Sequence, residues 1–324
     1  MSWLIAPDKF KGTHTAVEVA HAIAAGIGAE VEICPTADGG EGTLEVLVGA
    51  LGGRRREHVA HDSLGRAIEA SFGLLADGNS AIVEAASASG LGLIAAAERD
   101  PELASTYGTG ELIAAAIAAG AQRVLVAAGG VAGTDGGSGA IEALEHSGGL
   151  GGAELIVLAD VQTPFERAAE VFAAQKGADP RAVERLSARL QVQAAALPRD
   201  PRGLPMTGAA GGLAGGLWAR YDARLVPGAA WVLDTLEFDR RLRATESVVT
   251  GEGRLDASTL EGKLVSEIAK RCARAGVPLH AVVGSNRLST NEQAALGLDT
   301  VLEASQLSDI EGAGRVLAGH ALAR

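Results

Sequence analysis

Aromatic side chains make up only 3% of this chain, and only two cysteines, Cys34 and Cys272, occur in its 324 residues. Two cysteines cannot form a disulfide framework, and no Cys or His spacing matches a zinc site. His58 and His61 lie three apart on an expected strand, so they face opposite sides rather than a common metal. With 47% hydrophobic residues and 44 glycines, the core falls to Ala, Val and Leu, joined by many tight turns. Long apolar runs are also missing. The uncharged stretch from Gly203 to Ala219 is too short and too broken by glycine to span a membrane. No charged leader with a cleavage site opens the chain, so a reducing cytoplasm is the expected location.

Positive charge is scarce. The formal net charge is −12, and no basic run exceeds Arg54-Arg55-Arg56, which argues against a nucleic-acid partner. Only five lysines occur: Lys9, Lys11, Lys176, Lys263 and Lys270. The first four sit in glycine-bearing segments, APDKFKGT, AAQKGA and TGEGRLDASTLEGK. Lysine is a compact point charge suited to phosphate, and glycine lets backbone N–H groups approach an anion closely. An acidic protein that handles anions must rely on such local positive charge.

The length suits about two domains. A strand at Trp3–Ala6 runs into PDKFKGTHT, and a helix follows from Ala16, started by a Thr15/Glu18 capping box. A second strand, Val31–Cys34, runs into PTADGGEGT and a helix at Leu44–Leu51. Both loops fall where a strand ends and a helix begins, the edge at which parallel α/β sheets bind ligands. Residues 57–61, 67–75 and 80–85 read as an antiparallel meander. Then come a helix near 110–119, a strand at 123–127, the loop GGVAGTDGGSGA, a strand at 155–159 ending in Asp160, and a charged helix over about 180–196. The strand–helix rhythm returns at Val248–Thr250, with a second capping box expected from Ser258 and Glu261 and further strands at 279–283 and 300–302. The pattern predicts two α/β domains. Residues 1–55 with 245–324 form a discontinuous Rossmann- or flavodoxin-like parallel-sheet domain, and 56–244 form an inserted mixed α/β domain.

Neither standard nucleotide fingerprint is present. GEGRLDASTLEGKL lacks the first glycine of a Walker loop, and Leu264 replaces its magnesium-binding hydroxyl. GGSGAIEA has no third glycine for a dinucleotide turn, which disfavours a dehydrogenase. What remains is a set of loops that pair acids with glycine: Asp8 with Lys9 and Lys11; Asp38, Gly39, Gly40 and Glu41; Asp135 before two glycines; and Gly251, Glu252 and Gly253 with Asp256. Phosphoryl transfer needs these groups. Lysines and backbone N–H groups neutralise phosphate oxygens, one or two carboxylates anchor Mg²⁺, and a carboxylate takes the hydroxyl proton.

The segments APDKFKGT, PTADGGEGT, VEAASASGLGL, STYGTGELI, DGG, ADVQTP, QKGA, GAAGGL and TGEGRLDASTLEGK, in that order, closely resemble the type I glycerate kinase family. The resemblance implies ATP- and Mg²⁺-dependent phosphorylation of D-glycerate, usually to 2-phosphoglycerate, in the cleft between two α/β domains. Asp8, Lys11, Asp38, Glu41, Glu84, Ser87, Ser89, Thr109, Asp135, Asp160, Gln175, Lys176, Glu252, Asp256 and Lys263 match family motif positions. Lys9 stands where many members carry serine. Chemistry then suggests Lys11 and Lys263 for phosphates, Asp38 or Asp135 as Mg²⁺ ligand or base, and Lys176 for the substrate carboxylate or a phosphate. Asp8 joins the catalytic group. Glycines 39, 40, 251 and 253 with Glu41, Ser87, Ser89 and Asp256 join the binding group.

The family's GGSATNDGG has become GGVAGTDGG, with Val131, Gly133 and Thr134 in place of polar partners. That change raises two alternatives: a kinase for a different small hydroxy acid, or a catalytically weakened paralogue that binds a metabolite. The expected partners are a small hydroxy acid and a nucleotide, without nucleic acid or membrane. A homodimer is left open.

Overall fold

The computed structural model describes residues 2–28, 30–261 and 263–322. Strands β1 (Trp3–Pro7), β2 (Val31–Ile33), β3 (Gly53–His61), β4 (Ala67–Leu75), β5 (Ser80–Glu84) and β6 (Arg123–Ala127) come first. They are followed by β7 (Glu154–Ala159), β8 (Arg224–Pro227), β9 (Ser247–Glu252), β10 (Leu279–Val283) and β11 (Thr300–Glu303). The chain divides into two compact units, Met1–Asp38 with Ala229–Arg324, and Gly39–Gly228.

These divisions differ from those expected near residues 55 and 244, and packing explains both shifts. The helix Thr43–Leu51 buries Leu44 and Leu47, and Gly73 on β4 leaves space for its Val48 and Leu44. That helix therefore belongs with the inserted unit. At the far end, the buried Arg271 binds Asp234 (2.7 Å), Asp239 (3.3 Å) and the Ala230 carbonyl (3.3 Å), which ties residues 230–239 to the terminal unit.

The terminal unit holds an all-parallel sheet in the order β2-β1-β9-β10-β11. In order of appearance within the unit this is 2-1-3-4-5, the flavodoxin-like arrangement. All five residues of β1 and all five of β10 are buried, as interior strands of a parallel sheet must be. Ile5, Val19, Ile23, Val249, Val282, Ile310 and Leu317 share one core. Each such aliphatic side chain contributes about 1.5–3 kcal/mol by leaving water. The Thr15/Glu18 capping box forms, starting Ala16–Ile27, and Gly28 ends that helix in a left-handed conformation. The Ser258/Glu261 box does not start a helix. Ala257–Glu261 is a short 3₁₀ turn, and Leu264–Ala275 begins after Lys263. The Glu261 side chain lies outside the described residues.

The inserted unit carries a mixed sheet in the order β3-β4-β5-β6-β7-β8. The expected meander is its antiparallel part, β3-β4-β5, and β5 to β8 run parallel. Val83, Leu112, Val124, Val126, Leu155, Val157 and Leu213 are among its core residues. A satellite core of Phe165, Ala169, Leu186, Leu190 and Ala194 lies under the helix Pro180–Ala196. Among the described residues, no helix is long and apolar enough to cross a membrane.

Candidate functional site

In the terminal unit, the chain leaves β1 toward β2 on one side, and leaves β9 toward β10 and β11 on the other. The carboxyl ends of β1 and β9 therefore form the topological switch point, where open α/β sheets bind ligands. Asp8 follows β1 and Glu252 ends β9. Their strands are joined there by the Asp8 N–H donating to the Gly251 carbonyl at 2.8 Å. Glycine is required next to this contact for backbone approach. A Cβ on Gly251 would lie 2.3 Å from the Val282 carbonyl oxygen, and one on Gly253 would lie 3.1 Å from the Lys11 nitrogen. These two glycines pack the site's frame.

Three acids crowd this point. Burial and the neighbouring Asp38 push the Asp8 carboxyl up to about 8, opposed by Lys9. Asp8 Oδ1 also accepts the Lys9 N–H at 2.7 Å. Burial pushes Glu252 up to about 7, against the pull of a 2.7 Å bond from Thr259 Oγ1 and the Lys263 charge. Lys263 Nζ donates to Ser258 Oγ at 2.8 Å, and Ser258 Oγ donates to Asp256 Oδ1 at 2.6 Å. That bond holds Asp256 below the ordinary carboxyl value. Lys11 is exposed at the tip of a tight turn in which the Phe10 N–H donates to the His14 carbonyl and the Thr13 and His14 N–H groups donate back to Phe10. The sequence-expected Asp8, Lys9, Lys11, Asp38, Glu252, Asp256 and Lys263 thus share one sheet edge.

The excess negative charge here is the physical test for a cation. Raised carboxyl values at Asp8 and Glu252 record repulsion and lost hydration that a divalent ion beside them would relieve. Among the described residues, no three His, Cys, Asp or Glu side chains form a closed cage. Mg²⁺ does not need one, since it is held by one or two carboxylates while waters and substrate phosphates complete its shell. Asp8 and Asp38 fit that mode.

In the inserted unit, the glycines after Asp38 cross the carboxyl ends of β6 and β7. Gly39, at φ +88°, has room only for hydrogen, because a Cβ would lie 2.8 Å from Gly228 and 3.0 Å from Leu158. A Cβ on Gly129 would meet the Gly40 Cα at 2.7 Å. Glu84 at the end of β5 accepts the Leu44 N–H at 2.7 Å, satisfying a backbone donor in the first turn of Thr43–Leu51. Glu41 is exposed, and Ser87 and Asp160 are half-buried.

Asp135 does not fit as an open metal ligand or base. Its Oδ2 accepts from the Thr106 N–H and hydroxyl, both 2.8 Å, and from the Gly139 N–H at 3.2 Å. Its Oδ1 accepts from Gly137 at 3.0 Å. The side chain shapes the loop that starts Ser138–His146. Lys176 is likewise no open anion ligand. It is 4% exposed, its Nζ donates to the Gly133 carbonyl at 2.5 Å, and burial lowers it to about 8. Ser89 is buried with its hydroxyl 2.8 Å from that of Thr109. Sequence reasoning missed Thr106, Thr259, Arg189 and Gln193, whose contacts are all with residues distant in sequence or lie inside loops without a local signature.

The fold and the terminal-unit edge define a doubly wound α/β protein with acids and lysines gathered at its switch point. Residues 3–148 and 145–313 match the model of the Glycerate kinase family. The chain is 36% identical to the glycerate kinase of Bacillus subtilis, covering 93% of this chain and 89% of that one. It is 34% identical to the glycerate 2-kinase of Escherichia coli, covering 88% and 85%. A crystal structure of a Salmonella typhimurium LT2 protein assigned as glycerate kinase 2 superimposes with a TM-score of 0.83 at 33% identity, over 100% of this chain and 98% of the other. This chain belongs to the glycerate kinase family and is an enzyme of that family.

Proposed function

We propose that the protein transfers the γ-phosphoryl group of ATP to D-glycerate, with 2-phosphoglycerate the favoured product and Mg²⁺ as the accompanying ion. The observation that supports this most is the switch-point group of Asp8, Asp38, Glu252 and Lys263, with Lys11 beside it. Asp8, raised to about 8 by burial and by Asp38, keeps its proton near neutral pH in the ligand-free protein, and positive charge brought beside it with the substrates would free the carboxylate to accept the proton of the attacking hydroxyl. Asp38 is the carboxylate assigned to hold Mg²⁺, which when bound neutralises charge on the phosphate oxygens. Lys11, at an exposed turn tip, can reach a phosphate oxygen. Lys263 is kept oriented through Ser258 for the same purpose. Thr259 holds Glu252 against the wall of the site.

The changed GGVAGTDGG loop is the motive for a different substrate or a weakened paralogue. Val131 and Thr134 are 3% and 0% exposed, and a Cβ on Gly133 would strike the Ala104 carbonyl at 2.4 Å. All three positions face protein, so their changes alter packing and leave the loop's outward surface to other residues. The test is incubation with ATP, Mg²⁺ and a mixed panel of three- and four-carbon hydroxy acids, with products resolved by mass spectrometry and ³¹P NMR. Preferential conversion of D-glycerate to 2-phosphoglycerate supports the reading. Exclusive 3-phosphoglycerate corrects the regiochemistry, and no ADP formation sinks it.

A further inference from the structure

Three consecutive backbone carbonyls in the loop after β6 are each taken by a long side chain from one neighbouring segment. Lys176 Nζ donates to Gly133 at 2.5 Å, Arg189 Nη2 to Thr134 at 2.6 Å, and Gln193 Nε2 to Asp135 at 3.0 Å. We propose that Lys176, Arg189 and Gln193 are positioning residues that clamp this loop in its working shape, a role that rests on the kinase reading above.

The placement is built in. Arg189 and Gln193 lie one turn apart on Pro180–Ala196, so both project from the same helix face. Lys176 ends the 3₁₀ turn Ala174–Lys176 just before that helix. The satellite core around Phe165, Leu186 and Leu190 anchors the helix independently of the main core. Phe165 also packs beside Gln193 against the next residue of the loop, since a Cβ on Gly136 would lie 2.4 Å from Gln193 Oε1 and 2.9 Å from the Phe165 ring. A residue that merely filled the Lys176 position would be apolar, because a buried ammonium loses hydration that one carbonyl does not replace. Asp135 partly offsets that charge, as its effect on Lys176 shows.

The clamp has a consequence at both ends of the loop. Downstream, fixing residues 133–135 sets Asp135, whose carboxylate organises Thr106, Gly137 and Gly139. Upstream, it fixes the path of Gly129, which lies against Gly40. The three side chains thus hold the glycine edge of the inserted unit without touching substrate.

Full-length Lys176→Met, Arg189→Met and Gln193→Leu variants test this by two readouts: hydrogen exchange over residues 129–140, and steady-state kinetics with ATP, Mg²⁺ and D-glycerate. Each variant is expected to speed exchange across that segment. Lys176→Met should lower kcat about 100-fold, the cost of a loop displaced by about 1 Å, with KM for either substrate changing little. Arg189→Met and Gln193→Leu should lower kcat less, and in the same pattern. Lys176→Arg, which can still donate to Gly133, should recover part of the loss. If Lys176→Met raises KM for glycerate or ATP about tenfold while exchange stays at the parent rate, Lys176 is a ligand and the clamp is overturned. Unchanged exchange in Arg189→Met and Gln193→Leu overturns it equally, which decides the matter should Lys176→Met fail to fold. A parent protein with no activity on glycerate would sink the kinase reading alone, because the exchange readout judges the clamp without turnover.

Discussion

Replacing Asp8 by Asn should make the ligand-free protein more stable at pH 8 while removing its activity. Asp8 ionises at about 8 in the fold against 3.8 ordinarily, because burial and Asp38 both oppose its charge. Between those two values the native state holds a proton that the unfolded chain has released. Stability therefore falls as pH climbs through this window. At about 1.4 kcal/mol per pH unit the full shift sets an upper limit of about 5 kcal/mol at pH 8. Asp8 is half-buried and water relaxes around it, so the recovered stability should be a fraction of that, about 1–2 kcal/mol. Asn keeps the shape and can still accept the Lys9 N–H that bonds Asp8 Oδ1. Thermal denaturation of parent and variant without ligand, across pH 4–8, reads the effect as a Tm gain of about 2–6 °C at pH 8 that vanishes near pH 4. A variant no more stable than the parent at pH 8, or stabilised equally at both ends, would refute the electrostatic account. Loss of turnover with the stability gain would mark Asp8 as strain kept for chemistry.

Lys11→Ala should cut kcat/KM about 10²–10³-fold with Tm unchanged, since the residue is exposed at a turn tip; wild-type rates would remove its phosphate role. Thr106→Val takes one hydroxyl bond from the buried Asp135 carboxylate and an acceptor from the Ala140 N–H, and should cost about 2–4 kcal/mol in urea unfolding, with Thr106→Ser much milder. Gly251→Ala should destabilise the terminal unit and lower activity together, because its Cβ would overlap the Val282 carbonyl at 2.3 Å; soluble, fully active protein would contradict that packing. Thr259→Val should raise the Glu252 carboxyl further by removing the bond that lowers it, seen as an upward shift in its NMR titration, whereas Thr259→Ser should leave it in place.

Much of this architecture was legible in one dimension because its signals are local. The Thr15/Glu18 box, the apolar run Trp3–Ala6 and the alternation of β4 depend on neighbours a few residues away, and each appears where the pattern puts it, the first strand running one residue further to Pro7. Motif order likewise identified the family, since acids, lysines and glycines at strand ends persist as strings. The Ser258/Glu261 box misled for the same reason: its spacing is right, yet Asp256 captures the Ser258 hydroxyl and the chain makes a 3₁₀ turn first. Lys176 and Asp135 show what local reading cannot reach. Both have the residue type and setting of anion or metal ligands. Only long-range folding places the Lys176 ammonium on a carbonyl 43 positions earlier, and sets Thr106 against Asp135 across 29. The same holds for Asp8, whose ordinary carboxyl is pushed up only where the fold buries it at the end of β1 and sets Asp38 beside it. The sequence by itself determined which residue types could do this chemistry and on which loops. Tertiary structure decided which are free to do it, because burial and hydrogen-bond partners are properties of contacts that no spacing along the chain contains.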